Sequence, residues 1–164
     1  MTNQELLCSL KKEAAALSLP AAATEKPDSE LTQSARKHRY LASRVAEYNR
    51  QILLEISDKA CVDAIEEIDP DALNEFTFQI NSYLKNTAPD QAELQCYVRL
   101  TTTYLTFIAW KPLHPPGLIF AEGQKLIAQG GIFYCPVKKQ QMNAAVSLCK
   151  YCVSRDIGEL QNNR

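Results

Sequence analysis

The chain has 164 residues, of which 46% are hydrophobic and 23% are charged, and its formal net charge is −1. This composition is typical of a folded globular protein and excludes wholesale disorder. No run of 18 apolar residues occurs and the first ten residues lack the basic start of a secretory signal, so we expect no membrane span and a cytoplasmic location. One domain over residues 1–164 is the expected organisation, since a chain of this length buries a substantial core.

Apolar residues recur at helical spacing through the first 110 residues and predict four helices. The first begins at a capping box, in which the side chains of Thr2 and Glu5 satisfy free backbone N–H groups, and it extends to about Leu19. A linker, Ala21–Pro27, is predicted to follow. We therefore expect this N-terminal helix, within residues 1–19, to be loosely attached to the rest of the chain.

The second predicted helix starts at Asp28 or Ser29, either of which can cap it. The periodic pattern then runs on as far as Ile68, with a break near Ser57–Asp58. Its inward positions are predicted to be Leu31, Ala35, Leu41, Val45, Tyr48, Ile52 and Ile56, followed by Ala60, Ile65 and Ile68.

The third and fourth helices have clear boundaries. Asp69 followed by Pro70 is the favoured order of cap and first helical residue, and it starts the third helix. The fourth resumes after Pro89 and must end before Pro112. The predicted inward positions are Leu73, Phe76, Ile80, Tyr83 and Leu84 on the third helix and Leu94, Val98, Thr101, Leu105 and Ile108 on the fourth.

The last third of the chain has a different character, because all five glycines lie after residue 116. Three prolines make Lys111–Gly117 a stiff, extended loop that cannot be helical. A short strand is expected over Leu118–Phe120. The pair Gly130-Gly131 predicts a hairpin turn, which the strand Ile132–Cys135 follows.

A final helix is predicted over Lys139–Val153, and a frayed tail over residues 157–164. The predicted fold class is therefore mostly α. We expect a single-domain helical bundle of five or six helices with a small β-hairpin or three-stranded sheet near residues 117–136.

The six cysteines fall into two groups. The spacing C-x13-C-x2-C at Cys135, Cys149 and Cys152, with His114 upstream in the proline loop, gives a Cys3His set of the kind that binds zinc tetrahedrally in structural sites. Two alternatives are unligated, packed thiols and a redox pair or disulfide, and an iron–sulfur cluster is a minor variant of the metal interpretation. The remaining three are expected to be small buried apolar residues: Cys8, Cys61 and Cys96.

Charge is distributed unevenly. Residues 1–110 carry 11 Lys and Arg against 16 Asp and Glu, which is −5, whereas residues 111–164 carry 7 against 3, which is +4. This excess is too small to indicate nucleic acid, although an anion could bind to it. Neither of the glycine-rich nucleotide-binding motifs is present.

Three segments resemble a family of small uncharacterised proteins from methanogenic archaea: Tyr104–Gly117, Phe133–Lys138 and Leu148–Val153. The resemblance covers about the C-terminal third, with a looser match of helical pattern before it. Trp110 and Pro116 depart from the family pattern. The resemblance implies a cytoplasmic archaeal protein of unknown function, and it assigns no catalytic residue. Six residues fall inside the matching blocks: Lys111, His114, Cys135, Lys138, Cys149 and Cys152.

Three hypotheses for the function follow from the sequence. The first is a non-enzymatic interaction or scaffold domain clipped by a metal at the Cys3His set, which would face a protein partner. The second is an enzyme or thiol-redox protein that uses Cys149 and Cys152 with Cys135 and His114. The third is an anion or nucleic-acid binder, with Lys111, Lys125, Lys138, Lys139 and Lys150 beside the aromatic residues Trp110, Phe133, Tyr134 and Tyr151.

Overall fold

The structure is a computed structural model that describes residues 1–17, 32–120, 123–144 and 147–162. Within these residues the chain forms six α-helices, a single turn of 3₁₀ helix over Cys149–Tyr151 and three short strands. In chain order they are α1 (Asn3–Ala15), α2 (Gln33–Asp58), α3 (Pro70–Thr87), α4 (Ala92–Phe107), β1 (Ile127–Gln129), β2 (Ile132–Cys135), α5 (Lys138–Gln141), β3 (Arg155–Asp156) and α6 (Gly158–Asn162). The predicted class, mostly α with a small three-stranded sheet, is confirmed.

Several predicted boundaries lie outside the described residues. They are the end of the first helix near Leu19, the linker Ala21–Pro27 and the start of the second helix at Asp28 or Ser29. The described part of the second helix has Thr32 as its N-cap, and the hydroxyl of Thr32 accepts a hydrogen bond from the N–H of Ala35 at 3.2 Å.

Helix α1 begins at the predicted capping box, which is confirmed. Thr2 Oγ1 accepts from the N–H of Glu5 at 3.2 Å, and Glu5 Oε2 accepts from the N–H of Thr2 at 2.8 Å. The helix is not loosely attached as expected, because its inward residues belong to the main core; Leu7 is fully buried. These inward residues are Leu6, Leu7, Leu10 and Ala14.

Helix α2 ends at Asp58, at the predicted break, and the helical pattern expected to run on to Ile68 is wrong. Residues 59–69 instead lie beside the N-terminus, where buried Asn3 donates to the carbonyl of Ala64 at 2.9 Å and accepts from the N–H of Glu66 at 3.0 Å. These bonds give the segment partners outside any helix. Ile65, predicted to face inward, is exposed.

Helix α4 lies at the centre of the packed helices and contacts α1, α2 and α3. It buries three consecutive threonines, Thr101–Thr103, whose hydroxyls donate to carbonyls one turn earlier and so leave no unpaired hydroxyl hydrogen. Leu94, predicted to face inward, is exposed near the helix start. Together α1–α4 form what we call the helical body.

Helix α3 starts as predicted, with the Asp69 carboxylate accepting from the N–H of Asp71 at 2.9 Å and Pro70 in the first turn. Its buried side chains form a second, smaller cluster: Phe76, Ile80 and Leu84. The ring of Phe76 meets Phe107 and Tyr151 edge to face, at centroid distances of 5.3 and 5.1 Å. This cluster joins the helical body to the last third of the chain.

The proline loop is non-helical, as predicted, and two polar contacts fix it to α2. Tyr48 Oη donates to the carbonyl of Pro112 at 2.9 Å, and Lys111 Nζ donates to both carboxylate oxygens of Glu55 at 2.8 and 2.7 Å. Tyr104 Oη donates to the same carboxylate at 2.8 Å. The predicted strand over Leu118–Phe120 is reduced to one antiparallel bridge between Ile119 and Lys125.

The sheet has the order β1–β2–β3, with β1 and β2 antiparallel and β2 and β3 parallel. The predicted hairpin is confirmed. Gly130 and Gly131 have φ values of 59° and 78°, and a two-residue hairpin turn needs such positive φ values, which glycine adopts readily. Tyr134 pairs with Ile127 on one side and Arg155 on the other.

The helix predicted over Lys139–Val153 is wrong, since helical structure there is limited to α5 and the 3₁₀ turn at Cys149–Tyr151. Part of this segment, residues 145–146, lies outside the description. Side chains replace the helical hydrogen bonds: Ser147 Oγ accepts from the N–H of Cys149 at 3.1 Å, and Lys138 Nζ donates to the Cys149 carbonyl. The tail predicted to fray contains the short helix α6 instead.

Candidate functional site

The four predicted metal ligands line one cavity of about 530 Å³. His114 comes from the proline loop, Cys135 from the end of β2, and Cys149 and Cys152 from the 3₁₀ turn. The opposite walls belong to α2, α3 and α4. Three separate segments of the C-terminal third thus bring soft ligand atoms to one space against the helical body.

Cys135 is the buried thiol of the cavity, with 5% of its surface exposed. Burial raises the pKa of the Cys135 thiol, and the nearby Cys152 and Cys149 thiols raise it further. The backbone N–H groups of Val137 and Lys138 act in the opposite direction and lower this pKa in part. The backbone after β2 thus favours the thiolate in part, and a bound cation would compensate its remaining charge.

Cys149 and Cys152 lie at the two ends of one 3₁₀ turn, closed by the Cys152 N–H donating to the Cys149 carbonyl at 3.2 Å. Residues three apart stay on the same side of a 3₁₀ helix, so the side-by-side arrangement expected from an α-helix arises from a different element. The N–H of Leu113 donates to Cys152 Sγ at 3.5 Å. The proline loop and the 3₁₀ turn therefore meet at this sulfur.

The side chain of Lys138 stabilises this 3₁₀ turn by bonding to its carbonyl groups. Its side chain is buried, with 9% exposed, and Nζ donates to the carbonyls of Cys149 at 2.5 Å and Cys152 at 2.7 Å. Within the described part of the chain, no carboxylate forms an ion pair with it. Among the described residues, this positive charge beside the thiols consequently has no carboxylate paired with it.

His114 is partly buried and packs edge to face against Phe120, with ring centroids 5.6 Å apart. Burial lowers the pKa of the His114 imidazole, which favours its neutral form. Neutral imidazole is the form that binds metal ions. The proline loop thus supplies a ring in the protonation state that ligation requires.

The spacing of these groups is wider than that of a preformed metal site. Across the described ranges, no three His, Cys, Asp or Glu side chains form a group that could hold a metal ion. The four residues line one cavity but do not form such a group. Their role as ligands stays a prediction.

Two of the other three cysteines are exposed, although burial was predicted for all three. Cys8 and Cys61 are exposed and only Cys96 is partly buried, because Cys8 lies on the outer face of α1 and Cys61 lies in the non-helical segment after α2. All six cysteines are free thiols. Cys8, Cys61 and Cys96 are not among the residues that line the cavity.

Contacts within the protein engage part of the positive charge of the C-terminal third. Lys111 is paired with Glu55, and Lys150 is paired with Glu75 at 2.5 Å and lies 4.7 Å from the centre of the Tyr151 ring. Lys138 is buried in the cavity wall. Three of the five lysines predicted to bind an anion at the surface are thus occupied by contacts within the protein.

Asn49 is a buried polar residue of the cavity wall that the sequence did not predict. Asn49, on α2, is buried and lines the cavity, and its Oδ1 has no hydrogen-bond partner within the described structure. The signal was an asparagine among the inward-facing positions of α2, between Tyr48 and Ile52. Lys138 is one of the five lysines predicted for an anion or nucleic-acid binder, but nothing in its local sequence indicates that it is buried.

Comparison with known proteins gives a consistent family relationship. A family model described as "Uncharacterized protein conserved in archaea (DUF2115)" matches residues 2–157. A UPF0305 protein of Methanocaldococcus jannaschii is 38% identical over 123 residues, covering 75% of this chain and 70% of the relative. A UPF0305 protein of Methanothermobacter thermautotrophicus is 28% identical over 159 residues, covering 94% and 96%.

These relatives come from methanogens, so the resemblance predicted from the sequence is confirmed. No solved structure matches the chain. Among the described helices, none has the length and apolar character needed to cross a bilayer.

Proposed function

We propose that this chain, which belongs to the archaeal DUF2115 family, is a metal-binding protein in which Cys135, Cys149 and Cys152 bind zinc with His114 as the fourth ligand. The observation that carries the proposal is the convergence of these four residues, from three segments, on one cavity. Three thiolates and an imidazole are the ligand type and number that zinc takes in closed structural sites. Bound zinc would clip the proline loop, the sheet and the 3₁₀ turn together.

The hydrogen bonds around the sulfurs support this proposal. Cys152 Sγ accepts from the N–H of Leu113 and lies 3.5 Å from Ser154 Oγ. The backbone N–H groups of Val137 and Lys138 also lower the pKa of Cys135 in part. Such donors orient thiolate ligands and spread their charge. Because the Cys135 thiol has a raised pKa in the absence of metal, zinc binding must displace its proton, so affinity should increase with pH.

The test is elemental analysis of tag-free protein purified under reducing conditions, before and after incubation with Zn²⁺. We expect about one zinc per chain in the wild type. The variant Cys149→Ser should lose the metal, and Cys61→Ser, which changes an exposed cysteine outside the cavity, should retain it. Equal metal content in the two variants, or no retention by the wild type, would overturn the proposal.

One observation favours a second candidate, a dithiol redox function for Cys149 and Cys152. The two residues close a single hydrogen-bonded turn, and residues at the ends of such a turn have Cα atoms within about 7 Å, close to the range a disulfide spans. Glutathione disulfide would accept the two electrons and be reduced to two glutathione molecules, while both thiols lose their protons and form the S–S bond.

Intact-mass measurement distinguishes the two candidates. Redox function predicts a loss of two hydrogens on treatment with glutathione disulfide in wild type and in Cys61→Ser, but not in Cys152→Ser. Metal binding predicts that zinc-loaded protein resists this oxidation, because the thiolates are already engaged. Oxidation that is equally fast with and without zinc would favour the dithiol over the metal.

A further inference from the structure

The cavity is far larger than a metal ion and most of its wall is apolar. Its volume of about 530 Å³ lies within the usual range of small-molecule sites, roughly 300–1,000 Å³. The apolar wall is formed by side chains from α2, α3, α4 and the segment around the proline loop: Leu41, Val45, Tyr83, Val98, Phe120 and Leu126. Such a space accommodates the body of an organic molecule.

Asn49 supplies an unused hydrogen-bond acceptor in this wall. Its side chain is 93% buried, since 7% is exposed, and its Oδ1 lacks a partner among the residues that the structure describes. Leaving such a group unpaired destabilises the folded protein, because the oxygen has lost its hydrogen bonds to water. A ligand N–H or O–H that reached this oxygen would remove that cost.

Lys138 supplies the opposite kind of group. Two of its three ammonium hydrogens are directed to the carbonyls of Cys149 and Cys152, and one donor remains. Since no carboxylate in the described ranges neutralises this buried cation, an anion in the cavity gains a charge-assisted hydrogen bond without displacing an existing partner.

We infer that the cavity binds a small organic anion with an apolar, ring-sized body, whose acidic group bonds to Lys138 and whose N–H or O–H donor bonds to Asn49 Oδ1. The inference goes beyond the proposed metal binding and does not require it. The thiols lie at the same wall as Lys138, so a bound anion would contact the turn that carries Cys149 and Cys152.

The probe for this inference is 8-anilinonaphthalene-1-sulfonate, which combines an aromatic body, one sulfonate and one N–H. Its neutral counterpart N-phenyl-1-naphthylamine lacks only the sulfonate. We expect saturable binding of the anionic probe, one molecule per chain, in fluorescence titrations with zinc and with a chelator. The neutral probe should bind about tenfold more weakly, the factor expected for one charge-assisted hydrogen bond.

Variants assign this binding to the cavity. Lys138→Met should weaken the anionic probe about tenfold and the neutral probe less than twofold, whereas Lys139→Met, at the exposed neighbour outside the cavity, should change neither. Asn49→Leu should weaken both probes, since both carry the N–H. Leu41→Trp fills the cavity from a partly exposed position on α2 and should abolish binding without lowering the melting temperature.

Three results would overturn the inference. They are the absence of saturable binding, an anionic-probe affinity that is unchanged in Lys138→Met, and full binding by Leu41→Trp. If Lys138→Met fails to fold, two other results still test the inference: the ratio of the two probe affinities in the wild type, and the binding by Leu41→Trp. Because each titration is run with and without zinc, failure here is distinct from failure of metal binding.

Discussion

The helical body and the C-terminal third are stabilised in different ways. In the body, α1, α2 and α4 bury a continuous apolar cluster, with Leu7, Ile56 and Leu100 fully enclosed. In the C-terminal third, the helices are short, the strands have two to four residues, and side chains bond to backbone at the positions where helical bonds would otherwise form. The helical body is therefore stabilised mainly by the burial of apolar side chains, whereas the C-terminal third depends on specific polar contacts.

The largest expected effect lies in the body. Leu100→Ala removes a fully buried side chain from the centre of α4 and should lower the free energy of unfolding by about 2–5 kcal/mol. Leu94→Ala, on the same helix but exposed, should change it by less than about 0.5 kcal/mol. Urea unfolding of both variants measures the difference. Similar losses in the two would mean that burial along α4 does not dominate stability.

Substitution of Glu55, where α2 contacts the proline loop, should have an intermediate effect on the free energy of unfolding. Burial alone would raise the pKa of Glu55, but hydrogen bonds from Lys111 and Tyr104 outweigh it and hold the pKa below its usual value. Glu55→Gln should therefore lower the free energy of unfolding by about 1 kcal/mol, a value that takes the partial exposure of this site into account. Glu47→Gln, at an exposed site on the same helix, should lower it by less.

The pH dependence of the same contact has a defined sign. A carboxylate with a lowered folded-state pKa contributes its stability above the unfolded pKa, about 4.5, and loses it as the pH falls through the folded value. The difference in unfolding free energy between wild type and Glu55→Gln should therefore shrink below about pH 4.5. A difference that is constant from pH 7 to pH 3 would contradict the role of this ion pair.

Substitutions in the hairpin turn measure how much the backbone conformation of Gly131 contributes to stability. Gly131 has a φ of 78°, and Gly131→Ala should destabilise the protein by about 1 kcal/mol because an L side chain is strained there. Gly131→Asn should cost less, since asparagine adopts this conformation more readily. Thermal unfolding of the two variants provides the measurement. The same melting temperature for both would show that the turn does not limit stability.

The smallest expected effect is the titration of His114. Burial lowers its pKa in the folded protein, so its neutral form is favoured there, and the unfolded chain binds a proton first as the pH falls below about 6.5. Stability should decline between pH 7 and the lowered folded-state value in wild type, and His114→Gln should show a flatter profile. His38→Gln, at an exposed position on α2, is the matched control.

The sequence predicted the body well because its signals are local. The capping box at Thr2, the cap and proline at Asp69 and Pro70, and the periodic leucines each report on their own helix. Two errors are Leu94, near the start of α4, and Ile65, in the segment after α2; both are apolar residues that continue the pattern beyond the point where packing ends.

The site region was predictable only in part. The glycine turn and the proline loop impose backbone conformations and could be recognised, and the spacing of Cys135, Cys149 and Cys152 indicated a shared site. The helix over Lys139–Val153 failed because its apolar periodicity competes with bonds that come from outside the segment or from serine. The burial of Lys138 and the open acceptor on Asn49 depend on tertiary packing, which sequence periodicity does not report.

The most direct test of metal binding is X-ray absorption spectroscopy at the zinc edge of the zinc-loaded protein. The proposal predicts three sulfur ligands at about 2.3 Å and one nitrogen at about 2.0–2.1 Å. In His114→Gln, the nitrogen should be replaced by oxygen while the three sulfurs remain. A coordination shell of nitrogen and oxygen alone, or one sulfur in place of three, would contradict the account.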